Sequence, residues 1–319
     1  MKRAKAHRAP LIPAKAGIQG KSAVGPRFCG DERGRGMPPI GIICGGGSIP
    51  MAVASAVRAR GRAVKLFPLH GFADKALERF PHQWVHLGAV GRLLRVMREA
   101  GCKEIVMIGN LARPNPWQVR LDFTTLLALP RLLPYFRGGD DRLLSGVTEY
   151  FEERGFRLVG AHEVAPEILM PAGAAGRHRP RAADKEDIRF GFELLRAMGP
   201  FDVGQAAVIA DMRTIAIEAA EGTAAMIARV AEMRRSGRLK LPARAGVLVK
   251  APKPGQDRRV DLPAIGPDTI AQAEAGGLAG IAMEAGSTVV ADTAALVKAA
   301  DKAGIFVIGV PAPRKKARG

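Results

Sequence analysis

Apolar residues fall into short blocks separated by glycine-rich turns, and the blocks switch between a strand-like and a helical period. Residues 40–44 (IGIIC) are apolar throughout and end at Gly45-Gly46-Gly47-Ser48, after which 50–60 read as an Ala-rich helix. A second apolar run at 63–69 (AVKLFPL) predicts another strand. Over 90–100 (VGRLLRVMREA), Leu93, Leu94, Met97 and Ala100 share one helical face, and Gly101 follows as a stop signal. A third strand, 104–108 (EIVMI), closes on Gly109-Asn110. The pattern then predicts a helical region at 119–136, a Gly138-Gly139-Asp140-Asp141 turn, a helix at 142–154 and a strand at 156–160. Strands alternating with helices imply a parallel sheet covered by helices, so residues 37–165 read as a Rossmann-like α/β domain.

Residues 166–183 carry Pro, Gly and Arg without a period and read as a linker. A helix is expected at 184–198. Residues 205–218 run apolar, turn (Asp211-Met212-Arg213), apolar, which is a hairpin pattern. A helix at 223–235 follows, with Thr223 expected as its N-cap. Strand 245–250 (AGVLVK) leads into the loop APKPGQDRRVDLP. The tail alternates as helix 268–275, strands 279–283 and 288–291, helix 293–303 and strand 305–310. Residues 184–313 thus read as a separate C-terminal α/β domain, with 314–319 a basic tail.

Residues 1–36 break this pattern, having neither period and many Gly, Pro and Arg. Their IPAKAGIQ…GPRF…GDER phrase resembles a translated intergenic repeat found beside many alphaproteobacterial genes. Met37, where strand-like sequence begins, therefore reads as the natural start and 1–36 as a non-native or disordered leader; a functional basic arm is the alternative. The segment also changes the meaning of the charge. The chain carries +19, but +7 lies in residues 1–36 and +4 in the last six, leaving +8 for 37–313. Such an excess suits an anionic substrate or membrane surface as well as DNA, and two Tyr and two Trp are few for stacking on bases.

Three cysteines without CxxC spacing give neither a disulfide framework nor a zinc site; Cys44 and Cys102 read as buried apolar residues in a reducing compartment. No apolar run reaches the ~18 residues that a membrane span needs, and the basic N-terminus lacks the apolar core of a secretory signal.

Candidate chemistry sits in the loops. Gly45–Ser48 lies between a strand and a helix, where glycines let backbone N–H groups approach a phosphate or ribose; the bland alternative is a tight turn. It is not the dinucleotide fingerprint, because Pro50 takes the third glycine position and no acidic residue follows the second strand. Asp140-Asp141 reads either as acidic residues at a helix start or as a substrate contact. Glu218-Ala-Ala-Glu221-Gly222-Thr223 sets two carboxylates beside a helix N-terminus, able to hold a cation next to a phosphate or simply to cap the helix. Lys250-Ala-Pro-Lys253-Pro-Gly-Gln256-Asp257-Arg-Arg-Val-Asp261 is the strongest local signal. Its lysines suit phosphate oxygens and its aspartates suit Mg²⁺ or a water, in the strand-end position where α/β proteins place active sites. Glu284 ends a later strand as a further carboxylate. The six histidines show no ligand spacing, and no GxSxG elbow is present.

In this order, GIICGGGSIP, GGDDRLL, EAAEGT, VLVKAPKPGQDRRVDLPAIGP and GLAGIAMEAG resemble the UDP-2,3-diacylglucosamine pyrophosphatase family of lipid A biosynthesis, over residues 37–311. The resemblance is to the two-domain alphaproteobacterial type, unrelated to the metallophosphoesterase that performs the same step elsewhere. It implies hydrolysis of a UDP-linked lipid to UMP and 2,3-diacylglucosamine 1-phosphate, with Mg²⁺ as cofactor and the substrate held between the two domains. It implies Gly46, Gly47, Ser48, Asn110, Asp140 and Asp141 near the substrate, and Thr223, Lys250, Lys253, Gln256, Asp257 and Asp261 around the diphosphate. Asp261, Asp257 and Lys253 are the expected catalytic residues, and Asp261, Asp257, Glu218 and Glu221 the expected metal ligands. The protein is expected to be cytoplasmic, in transient contact with the inner membrane, without a nucleic-acid partner and compatible with a homodimer. One departure is local: Asp211-Met212 occupies a hairpin turn where Asp-Gly is expected. The competing reading is a nucleotide-sugar-binding regulator that does no hydrolysis; an NAD-linked oxidoreductase and a nucleic-acid-binding protein fit less well.

Overall fold

The computed structural model describes residues 37–111, 119–132 and 140–312. The first half holds a four-stranded, all-parallel sheet of β1 (Ile40–Cys44), β2 (Val64–Pro68), β3 (Glu104–Ile108) and β4 (Arg157–Leu158), in the order β2-β1-β3-β4. All five residues of β1 are buried, as a central parallel strand covered on both faces requires. Helices α1 (Ile49–Ala59), α2 (Val90–Glu99), α3 (Phe123–Leu132) and α4 (Asp140–Glu152) belong to this half, with the short α5 (Ala161–Val164) after β4. Ile40, Ile42, Val53, Val57 and Val106 build one core, while Phe67, Leu94, Met97, Ile105 and Phe156 build another.

The second half is a mixed six-stranded sheet in the order β5-β12-β10-β8-β6-β7. Its strands are β5 (Gly173–Ala175), β6 (Ala206–Ala210), β7 (Arg213–Ile217), β8 (Val247–Lys250), β10 (Gly280–Glu284) and β12 (Phe306–Val310). β8, β10 and β12 run parallel, and β5 and β6 flank them antiparallel. A separate pair joins β9 (Ala264–Ile265) to β11 (Val289–Val290). Residues of α7 (Gly222–Arg235), α8 (Pro267–Ala275) and α9 (Thr293–Ala303) pack with Val208, Leu248 and Ile281 in one core; α6 (Ala182–Met198) packs with Ala207, Ile209 and Val249 in another.

The stretch expected to be a linker, 166–183, holds a short strand, while Ile168 packs in the β1–α1 core. Its residues 173–175 form β5 and pair with Val307–Gly309 of β12. Three residues give too short a period to be read from sequence. The Asp211-Met212 turn forms despite lacking glycine, with both residues in the left-handed region (φ 50° and 57°). Asp187 of α6 accepts hydrogen bonds from both turn amides, at 3.3 and 2.7 Å, which offsets that strain. Cys44 and Cys102 are both buried, as expected, and burial pushes the Cys44 thiol up to about 12. No helix among the described residues is long and apolar enough to cross a membrane.

Candidate active site

Antiparallel register gathers the principal cluster. β6 runs opposite to β8, with Ala206 facing Lys250, and β7 returns so that Ala207 faces Ile217. The start of β6, the end of β7 and the end of β8 therefore lie side by side, which brings Gln205, Glu218 and Lys250 together. The main chain fastens them: Glu218 N donates to Ala206 O at 2.9 Å and Ala251 N to Gln205 O at 3.0 Å.

Side chains then connect into a chain of hydrogen bonds. Lys250 Nζ donates to Thr223 Oγ1 (3.0 Å) and to the carbonyl of Ala264 (3.1 Å). Thr223 Oγ1 donates to Glu218 Oε1 (2.6 Å), and Glu218 Oε2 accepts from Gln205 N (3.1 Å). Gln205 Nε2 reaches Asp261 Oδ2 at 2.8 Å, and Gln256 Nε2 donates to the same oxygen. Burial lowers the Lys250 pKa, while Glu218 and Asp261 pull it back up. A buried ammonium bonded to a hydroxyl and a carbonyl is suited to meeting the oxygens of a bound phosphate. Thr223 is not the helix N-cap; that position falls on Glu221, and the Thr223 hydroxyl is committed to Glu218.

Two other residues of the loop have different partners. Lys253 pairs with Asp202 and is nearly buried. Asp257 is wrapped by Arg259, which donates from its main-chain N (3.0 Å), from Nε (3.0 and 3.2 Å) and from Nη2 (2.8 Å). That guanidinium holds the Asp257 carboxyl below its usual range. Asp257 thus stabilises the turn that delivers Asp261, whose N donates to Asp257 O at 3.1 Å. Glu221 likewise turns outward to Arg229 (3.1 Å). Neither stands in the hydrogen-bonded chain, because each has a nearer arginine. Glu284 ends β10, the strand beside β8.

A second cluster forms at the ends of β1 and β3, where the strand order changes direction and open α/β sheets take ligands. Gly46 and Asn110 exchange main-chain hydrogen bonds (2.8 and 2.9 Å). A Cβ on Gly45 would stand 2.7 Å from the Asn110 carbonyl, and one on Gly109 2.8 Å from the Gly45 main chain. Two glycines are needed for that approach. Gly47 and Ser48 are exposed at the start of α1, and the Ser48 side chain makes no capping bond. Asp140 opens α4, but the side chains of Asp140 and Asp141, like Gly138 and Gly139, lie outside the described residues.

The Asp261 loop rests on the first half of the molecule. Val260 packs with the Phe67–Phe156 core, Leu262 and Ala264 pack with the β1–α1 core, and Arg259 reaches Glu152 of α4 at 2.7 Å. Among the described residues no three His, Cys, Asp or Glu side chains gather as a metal cage. Gln205 is the site residue that sequence reasoning passed over. It opens an apolar strand and carries no charge, so only its position opposite Asp261 marks it.

Comparison with known proteins agrees with this two-part build. Residues 39–168 match the model of the LpxI N-terminal domain, and residues 171–308 match that of the LpxI C-terminal domain. The chain is 42% identical over 274 residues to the UDP-2,3-diacylglucosamine pyrophosphatase LpxI of Caulobacter vibrioides, an alignment covering 86% of this chain and 98% of that protein. With both of its halves matched in order, the chain belongs to the LpxI family.

Proposed function

We propose that this chain hydrolyses the diphosphate of UDP-2,3-diacylglucosamine, releasing UMP and 2,3-diacylglucosamine 1-phosphate, with the Lys250–Asp261 cluster at the diphosphate. The observation that carries the reading is a buried Lys250 ammonium hydrogen-bonded to Thr223 at the start of α7, in a strand-end cluster whose hydrogen-bonded chain links Glu218 to Asp261. Lys250 and the free N–H groups at that helix start oppose the charge that builds on phosphate oxygens during attack. Asp261, held by two side-chain amides, orients the attacking water. Gly46, Gly47, Ser48 and Asn110 take the nucleotide at the other cluster.

The residues present fit Mg²⁺. One or two carboxylates completed by substrate phosphates are its usual set, and Asp261 and Glu218, linked through Gln205, would hold it. When bound, it supplies charge neutralisation at the phosphate oxygens. Asp257 and Glu221 are set aside as ligands because arginines engage them.

A lipid substrate also needs an apolar surface. Phe123, Leu126 and Leu127 of α3 are 75%, 55% and 67% exposed at i, i+3 and i+4, with Leu121 and the cationic Arg120 beside them. This stripe suits acyl chains or the acyl boundary of an anionic cytoplasmic membrane surface.

Purified protein incubated with Mg²⁺ and UDP-2,3-diacylglucosamine is expected to release UMP, and an Asp261→Ala variant with native thermal stability is expected not to. Equal release by both would move the catalytic role to the Glu218 side. No release by either would leave a nucleotide-sugar-binding protein as the better reading.

A further inference from the structure

Resting on the placement of Asp261 above, we infer that Gln205 is a positioning residue for the reaction, fixing the Asp261 carboxylate through its side-chain amide while its main chain holds Glu218. Gln205 immediately precedes β6, and three of its atoms are committed. Its N donates to Glu218 Oε2 at 3.1 Å, its O accepts from Ala251 at the end of β8, and its Nε2 donates to Asp261 Oδ2 at 2.8 Å. One residue therefore ties both site carboxylates to the sheet, using neutral donors alone.

The chemistry of a carboxylate that must orient water explains why donors of this kind are needed. Asp261 lies on a loop that contains Pro254 but is outside any strand or helix, so its side chain needs outside support to hold one rotamer. Gln256 supplies one donor from the same loop, but a donor on the loop moves with it. Gln205 supplies the other from the rigid sheet, 56 positions away in sequence. The orientation of the amide follows from its partner, since reversed it would set an oxygen against the carboxylate. Gln205 Oε1 is buried without a protein partner among the described residues, so what keeps the side chain in place is the Asp261 contact.

The test measures kcat, KM and thermal midpoint for UMP release from UDP-2,3-diacylglucosamine by Gln205→Leu and Gln205→Glu, beside Asp261→Ala. Leucine keeps much of the volume and removes the donor; glutamate keeps the shape and turns acceptors toward Asp261. The expected order of kcat is wild type, then Gln205→Leu lower by about tenfold, then Gln205→Glu lower still, with KM within about twofold of wild type. A residue that merely filled space would let the isosteric glutamate keep its rate. Wild-type kcat in either variant, while Asp261→Ala is inactive, would overturn the inference, as would a loss confined to KM or to the thermal midpoint. Full activity in Asp261→Ala would instead remove the site reading on which it rests. If one variant fails to fold, the other alone still decides between an unchanged and a lowered kcat.

Discussion

At the scale of single residues, the glycine pair between β1 and β3 is held to a close main-chain approach. A methyl group on Gly45 would sit 2.7 Å from the Asn110 carbonyl and 2.9 Å from Gly109, main-chain atoms that cannot swing aside as a side chain can. Gly45→Ala is expected to cost about 1–3 kcal/mol, the range for overpacking a filled site, and urea unfolding measures it. The same change splays the Gly46–Asn110 hydrogen bonds, so nucleotide affinity is expected to fall with stability. Unchanged urea midpoint and unchanged nucleotide affinity together would show that the two strand ends separate easily.

At the scale of elements, two loops store opposite balances. The β6–β7 turn holds Asp211 and Met212 in a left-handed conformation that side chains with a Cβ resist. Met212→Gly is expected to raise stability by about 0.5–1 kcal/mol, and Asp187→Ala, which strips both turn amides of their acceptor, to lower it. Thermal melts of the two variants should move in opposite directions. In the Asp261 loop the strain is replaced by charge. Arg259 depresses the Asp257 pKa, so the folded state binds that proton less readily than the unfolded chain. The resulting stability is fully present above the ordinary carboxylate pKa and is lost as pH falls through the lower, folded value. Asp257→Asn should therefore flatten the acid side of a plot of melting temperature against pH while leaving the alkaline side in shape.

At the scale of the whole molecule, the Asp261 loop belongs to the second half by sequence and leans on the first half by packing. Magnitudes decide which contact holds it there. The Arg259–Glu152 pair is 36% and 42% exposed, and solvent-exposed pairs contribute about 0–1 kcal/mol. Leu262 packs into the β1–α1 core, and a Leu→Ala change at a buried site costs roughly 2–5 kcal/mol, less for one only partly buried. Leu262→Ala is thus expected to lower both melting temperature and the rate of UMP release more than Glu152→Ala does. The reverse order would make the ion pair the true anchor. On the outer surface, Phe123→Glu in α3 should weaken sedimentation with anionic lipid vesicles without changing the melting temperature, since that ring is 75% exposed.

Periodicity alone located most of the secondary structure, because buried parallel strands such as 104–108 are unbroken apolar runs and amphipathic helices such as α2 repeat on one face. The loop of Lys250, Lys253, Gln256, Asp257 and Asp261 was legible as a group, because charges crowded into a Pro/Gly loop after an apolar strand are conspicuous in one dimension. Three-residue β5 and two-residue β9 escaped, being shorter than any period, and so did the His70 ring stacked on Trp84 and His86 at 5.1 and 4.2 Å. What the linear chain could not decide was partnership. Asp257 and Asp261 look alike in sequence; only folding gives one to Arg259 and the other to two amides. Gln205 lies 56 positions from Asp261 and becomes its neighbour through the antiparallel register of β6 on β8 and the turn of the loop that follows β8. Local pattern is written in neighbouring residues, whereas a site is assembled by contacts between distant ones, and only the tertiary structure chooses those.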